Sequence, residues 1–378
     1  MATPDFSRAA EVIDAAVGAG AFPGAVIVVA QDGEVLHHAA YGARVLEPVR
    51  MPMGLDTVFD LASLTKPLAT TTAIMLLVRD GRLRLDDRVA RFLQTFGVHG
   101  KTPVTVRQLL AHCSGLPAWR PYWKDVARLA KHGRPNFLAS TGARDMMLEL
   151  IHHERLESPP GTKSVYSDLG FMLLGEIVEL LTHQTLDRFC RDRIFRPLGL
   201  QSTGYVDLQR LRMQRVVPVP DKIAPTERCP WRQKVLCGEV HDDNAYAAGG
   251  VVGHSGLFGN ALDVHRLMQK LRACHLGEDD FIPAAIVREF WRVDASVPES
   301  TWALGWDTPS ATGSSAGSRV NPRAVGHLGF TGTSIWYDLQ RDAWVIFLTH
   351  RVHPSRSNER IREVRPRVHD AVWEVLDT

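Results

Sequence analysis

"FDLASLTKPLATT", residues 59–71, sets a serine three positions ahead of a lysine. Proline lacks an N–H, so Pro67 cannot donate to the carbonyl of Ser63, four residues earlier. A regular helical ladder therefore starts near Ser63, and Ser63 and Lys66 share one helix face. A helix start offers free N–H groups and a positive dipole end, both suited to an oxyanion. The same facts suit a capping serine, so both readings stand on local grounds. A nucleophilic serine needs a base beside it. Lysine fills that role only if its pKa falls from ~10.4 by roughly 3 units, about 4 kcal/mol of differential destabilisation of the cation. The catalytic reading thus demands polar groups converging from elsewhere in the chain.

The composition admits such a site. The chain has 378 residues, 45% hydrophobic and 23% charged, enough for one large or two modest domains with a sizeable core. A net charge of +2 gives no general reason to expect nucleic-acid or membrane partners. One basic cluster stands out, Arg351, Arg356, Arg360, Arg362, Arg365 and Arg367. Interleaved apolar residues Ile361, Val364, Val368, Val372 and Val375 at helical spacing make the arginines a solvated helix face. Five cysteines at irregular spacing do not form a disulfide framework. His241-Asp242-Asp243 reads as a polar loop rather than a metal site, and neither metal nor cofactor is implied. The N-terminus carries Asp5, Glu11 and Asp14 without a basic n-region, so a cytoplasmic location is the expectation. An exported chain trimmed of its leader would look the same.

Strand signals lie at both ends. A short helix opened by Thr3 and Pro4 precedes two strands in "GAVIVVAQDGEVLHHAAYG", turned at Asp32-Gly33. Helical periods with Pro/Gly breaks fill much of residues 65–200, and residues 205–248 read as a long surface excursion. A flexible Ser/Gly-rich loop at 308–323 leads to three strands, "AVGHLGF", "SIWYDL" and "AWVIFLTH", and a last helix. The expected fold is α+β, an antiparallel sheet built from residues 1–66 and 300–378. A mostly helical domain, 67–299, is inserted between its strands, with the site between the two units. Regular strand–helix alternation is missing, which excludes a TIM barrel.

Two further segments complete a pattern. Residues 158–181, "SPPGTKSVYSDLGFMLLGEIVELL", carry Tyr166-Ser167-Asp168 before an apolar helix. Residues 326–336, "GHLGFTGTSIW", place His327-Leu328-Gly329 on a strand. In order with Ser63-x-x-Lys66, these resemble the serine β-lactamase and penicillin-binding superfamily. Its class C β-lactamase, D-alanyl-D-alanine peptidase and family VIII carboxylesterase branches carry Ser-x-x-Lys, Tyr-x-Asn and then Lys-Thr-Gly or His-x-Gly. "LLAHCSGLP" (109–117), "FPGAVIVVAQDGEV" and "GGVVGHSGLFGNALDVHRLM" (249–268) are similar to other family segments, so the resemblance spans nearly the whole chain.

The resemblance implies that Ser63 attacks the substrate carbonyl and becomes acylated. Lys66 and Tyr166 would share the proton work, and backbone N–H groups of Ser63 and Phe330 would form the oxyanion hole. Gly329 would let substrate approach the strand closely. His112 and His254 flank the site in relatives, and each reads as a structural hydrogen-bonding histidine. Two departures matter. Asp168 stands where asparagine is usual, and its carboxylate would keep Lys66 charged, leaving Tyr166 as the general base. It also reads as the cap of a helix starting at Leu169. His327 stands where lysine is usual and is mostly neutral at pH 7, which favours esters over β-lactams or carboxylate-ended peptides.

The leading expectation is a serine hydrolase cleaving esters, with amides as further substrates, acting on a small-molecule acyl compound. A β-lactamase or D-alanyl-D-alanine carboxypeptidase is the alternative, and a non-catalytic protein of the same fold the third reading. Trp119, Trp123 and Trp231 are expected to shape the pocket. The sequence specifies neither the acyl group, the leaving group nor the oligomeric state.

Overall fold

The computed structural model describes residues 4–47, 49–134, 136–214 and 222–377. Its centre is a six-stranded antiparallel sheet. The strands are β1 (Gly24–Gln31), β2 (Glu34–Val45), β3 (Met51–Pro52), β4 (Val325–Leu328), β5 (Ser334–Asp338) and β6 (Ala343–Thr349), in the spatial order β3-β2-β1-β6-β5-β4. The two chain ends meet where β1 pairs with β6, Val28 opposite Ile346. Asp32 and Gly33 turn β1 into β2 with φ of 53° and 90°, the doubly positive pair that a tight hairpin turn requires.

β1 and β6 are apolar up to their last residues, Gln31 and Thr349, because both faces of the sheet are covered. Ala25, Ile27, Val29, Val345 and Phe347 pack against α1 (Ser7–Gly18) and the C-terminal helix. Val26, Val28, Ile346 and Leu348 face the helical body. That body includes α2 (Thr72–Arg79), α3 (Asp168–Thr182) and α4 (Ala261–Leu276), and the C-terminal helix is α5 (Ile361–Leu376). A three-stranded ribbon of residues 59–60, 257–259 and 204–205 ties the serine segment to the helical body.

Several expectations need correction. α1 begins at Ser7, later than Pro4, because Asp5 bonds its carboxylate to the Ser7 N–H; Thr3 lies outside the described residues. The 308–323 segment is pinned, since Asp370 accepts from the Ser318 and Arg319 N–H groups and Trp373 donates to the Ala316 carbonyl. Residues 222–248 are no surface excursion: Ala224, Cys229, Leu236 and Val240 are buried, and His241, Asp242 and Asp243 face a cavity. Residues 215–221 lie outside the described residues. The C-terminal arginines are not uniformly solvated, because Arg351 and Arg365 are 6% and 5% exposed.

Candidate active site

Ser63 sits in a tight turn, Ala62–Leu64, followed by a wide helical turn, Lys66–Thr71, that leads into α2. Pro67 occupies the first turn, where its missing N–H costs no hydrogen bond. Ala62 has φ of 47°, a left-handed conformation costing a non-glycine residue about 1 kcal/mol. Its surroundings hold it there. Asp60 accepts from the Ala62 N–H at 2.9 Å and the His241 N–H at 2.6 Å. Thr65 Oγ1 donates to the Ala62 carbonyl at 2.6 Å and accepts from the Leu257 N–H at 3.1 Å.

Ser63 caps nothing. Its Oγ lies 3.0 Å from Lys66 Nζ, which also reaches Asp168 Oδ1 at 2.7 Å and the His254 carbonyl at 3.2 Å. An ammonium would donate to all three; a neutral amine would donate to two and accept from the serine hydroxyl. The carboxylate decides between these. Burial alone would lower the Lys66 pKa, but Asp168 and Tyr166 outweigh it and raise it, so the cation persists. Burial raises the Tyr166 pKa, opposed by Lys66, and its hydroxyl is in hydrogen-bonding reach of both Ser63 and Lys66. The Tyr166 ring centroid is 4.7 Å from Lys66 Nζ, and the ring stacks on Trp302 at 5.3 Å.

α3 delivers Asp168 through its neighbours. Ser167, rather than Asp168, is the cap, its Oγ accepting from the Gly170 N–H at 3.3 Å. That leaves the Asp168 carboxylate for Lys66. His112 Nδ1 accepts from the Ser167 N–H at 3.0 Å, and the Asp168 N–H donates to the Ala118 carbonyl at 2.9 Å. Burial and the nearby Lys66 and His327 hold the His112 pKa well below its usual value. His254 Nε2 meets Asp242 Oδ1 at 3.1 Å while its carbonyl orients Lys66. Asp242 thus serves a histidine, and no cluster of described residues forms a metal site.

On the other wall, Gly329 is required by close approach. A side chain there would collide with Thr333 Oγ1 and sit 2.7 Å from the Leu61 carbonyl. Thr331 and Thr333 bond the Asp60 and Leu61 carbonyls at 2.7 and 3.2 Å, stitching β4 to the serine turn. The Phe330 N–H makes no hydrogen bond among the described residues. His327 Nδ1 bonds the Leu328 carbonyl at 2.8 Å, leaving Nε2 without a partner. Burial and the Lys66 charge push its pKa down to about 3, so this imidazole is neutral.

These groups line one cavity of about 620 Å³, shared by Ser63, Tyr166, Asp168, His254, His327 and Gly329. His112 stands behind Tyr166, ring centroids 4.7 Å apart. Trp119 lines the cavity, whereas Trp123 and Trp231 stack on each other at 4.7 Å. The sequence reading missed Trp302, which packs against Tyr166 and His327, and Asp307, whose pKa burial pushes up to about 6. Neither has a local pattern. Asp307 reaches the site only because its backbone pairs with Gly326 on the edge strand β4.

A family model described as Beta-lactamase matches residues 9–368. The chain belongs to this family. A Bacillus subtilis (strain 168) relative, "N-acetylmuramyl-L-alanine amidase", is 33% identical over 93% of this chain and 82% of its own. An Escherichia coli (strain K12) relative, "Putative D-alanyl-D-alanine carboxypeptidase", is 32% identical over 88% of this chain and 79% of its own. Among solved structures, "EstCE1, a hydrolase with promiscuous acyltransferase activity" superposes with a TM-score of 0.73 at 22% identity, covering 97% of this chain and 98% of that one. The chain is a serine hydrolase of the β-lactamase fold. None of its described helices is long and apolar enough to cross a membrane.

Proposed function

We propose that the protein hydrolyses small acyl esters through an acyl-enzyme on Ser63. The observation that carries this reading is the Lys66 ammonium, held at 3.0 Å from Ser63 Oγ and 2.7 Å from Asp168. Tyr166, beside both Ser63 and Lys66, is the acid–base group. Burial keeps Tyr166 a phenol at rest; its minor phenolate form, paired with the Lys66 ammonium, takes the Ser63 proton as Oγ attacks the carbonyl, then returns it to the leaving alkoxide. The Ser63 and Phe330 N–H groups receive the oxyanion. Water entering the cavity attacks the acyl-enzyme; Tyr166 removes its proton and delivers it to Ser63 Oγ as the Oγ–acyl bond breaks and the acid is released. The neutral His327 supplies an acceptor nitrogen where relatives of this family usually present a cation, which supports an ester with no charge at that point.

The two relatives, named as a putative D-alanyl-D-alanine carboxypeptidase and an N-acetylmuramyl-L-alanine amidase, favour amides as the second reading. All five cysteines are free, which supports a reducing, cytoplasmic setting. The test compares kcat/KM for a short p-nitrophenyl ester, a chromogenic cephalosporin and a D-alanyl-D-alanine peptide. The ester should lead by at least tenfold in wild type and lose turnover in Ser63→Ala. A lead for the peptide or the cephalosporin would replace this reading with the second or with a β-lactamase.

A further inference from the structure

Five carboxylates line the cavity, and four of them have a basic partner. Asp168 holds Lys66 at 2.7 Å, and Asp242 meets His254 at 3.1 Å. Asp243 takes Arg232 and Arg356, and Glu359 takes Arg362. Asp307 is the exception. Among the described residues no lysine, arginine or histidine pairs with it.

The chain places this carboxylate firmly. Residues 302–307, "WALGWD", turn back at Gly305, where φ is 77°, and Trp302 and Asp307 become antiparallel bridge partners. On its other side the Asp307 N–H donates to the Gly326 carbonyl at 2.8 Å, and the Gly326 N–H returns the bond at 2.9 Å. Both side-chain hydrogen bonds fall on one oxygen. Oδ1 accepts from Thr301 Oγ1 at 2.7 Å and from the Thr308 N–H at 2.9 Å, while Oδ2 accepts from no described residue. Burial outweighs those two bonds and pushes the pKa up to about 6, so at pH 7 the charged form prevails with its charge unmatched.

We propose that Asp307 anchors a subsite for a cationic amino group of the substrate. An ammonium brings both things that Oδ2 lacks, a positive charge and N–H donors. A hydroxyl would leave the charge unmatched, and a metal ion would need further ligands that no cluster of described residues provides. Trp302 supports the same cation. As bridge partner its Cβ lies about 5 Å from that of Asp307, and its ring also lines the cavity, where an aromatic face attracts an ammonium. Trp302 stacks on Tyr166 at 5.3 Å, so the subsite adjoins the acid–base group. The substrate class is thereby an acyl compound bearing a free amino group near the scissile bond. The inference rests on the hydrolase reading of Ser63.

Two matched ester pairs, compared at pH 7, test it. Alanine benzyl ester, as either enantiomer, against benzyl isobutyrate places the amino group on the acyl side. The acetate of 4-(2-aminoethyl)phenol against that of 4-propylphenol places it on the leaving group. Wild type should favour the charged member of one pair by at least tenfold in kcat/KM. Asp307→Asn keeps an oxygen for Thr301 and Thr308 but loses the charge, so that ratio should fall towards unity. Asp307→Glu, which keeps the charge, should retain a preference of the same sign. No preference in either pair by wild type, a ratio unchanged in Asp307→Asn, or an equal fall in both variants overturns the subsite. Absence of turnover of every ester by wild type defeats the hydrolase reading instead. Calorimetric titration of Ser63→Ala with the two charged esters then decides the subsite. Adding Asp307→Asn should weaken one of them at least tenfold, and equal affinity for both, or no binding, contradicts it.

Discussion

Two buried cations lie at one cavity, Lys66 behind Ser63 and Arg365 in its wall, and they are solvated by the protein in opposite ways. Lys66 has three acceptors at 2.7–3.2 Å, one of them a carboxylate. Arg365, also buried, has no carboxylate partner among the described residues. A saturated cation is set in place before substrate arrives and holds the proton chemistry ready. An unsaturated one keeps the full cost of its desolvation. Burial brings two nearby imidazoles to about 3, with Lys66 adding to the shift of His327 and Arg365 to that of His369.

Removing Lys66 should have the largest effect. Lys66→Ala takes a proton-transfer partner and the counter-charge of Asp168 away together, so kcat on a neutral ester should fall by about 10³-fold. A fall under tenfold would put Lys66 on the same footing as a binding group.

Asp168→Asn sharpens the same end. Asp168 raises the pKa of both Lys66 and Tyr166, so its removal lowers both. Where Lys66 must stay charged, loss of its proton ends activity at high pH. The basic limb of the pH–rate profile should therefore move to lower pH in Asp168→Asn. An unchanged limb contradicts a protonated Lys66.

The smallest effect concerns the imidazoles. His327 and His369 bind protons near pH 6.5 when unfolded but only near 3 when folded. Between those values the unfolded state holds more protons, so stability is present above pH 6.5 and is lost as pH falls. Urea denaturation should show about 1 kcal/mol lost per such imidazole between pH 6.5 and 5.5. Asp307, raised to about 6, acts in the opposite direction. Replacing His369 with Phe should flatten the slope, and an unaltered slope would mean that His369 is not held neutral.

Much of this was legible in the chain. β1 and β6 could be read because burial on both faces leaves unbroken apolar runs, and Asp32-Gly33 announces its turn. Ser63, Lys66 and Tyr166 were legible by order and spacing. Arg365 was misread because arginine-rich helices usually face water. A signal existed: Arg365 lies four residues after Ile361 and three before Val368, on the same buried stripe. Ser167 took the cap from Asp168 because a short hydroxyl one residue earlier reaches the Gly170 N–H. Trp302 could not be found, since only the fold carries its ring onto Tyr166.

The central claim, that Ser63 is the acylated residue, is tested most directly by intact mass after incubation with a fluorophosphonate and a short p-nitrophenyl ester. One covalent adduct per chain is expected in wild type and none in Ser63→Ala. An adduct that survives Ser63→Ala, or no adduct in wild type with either reagent, would contradict it.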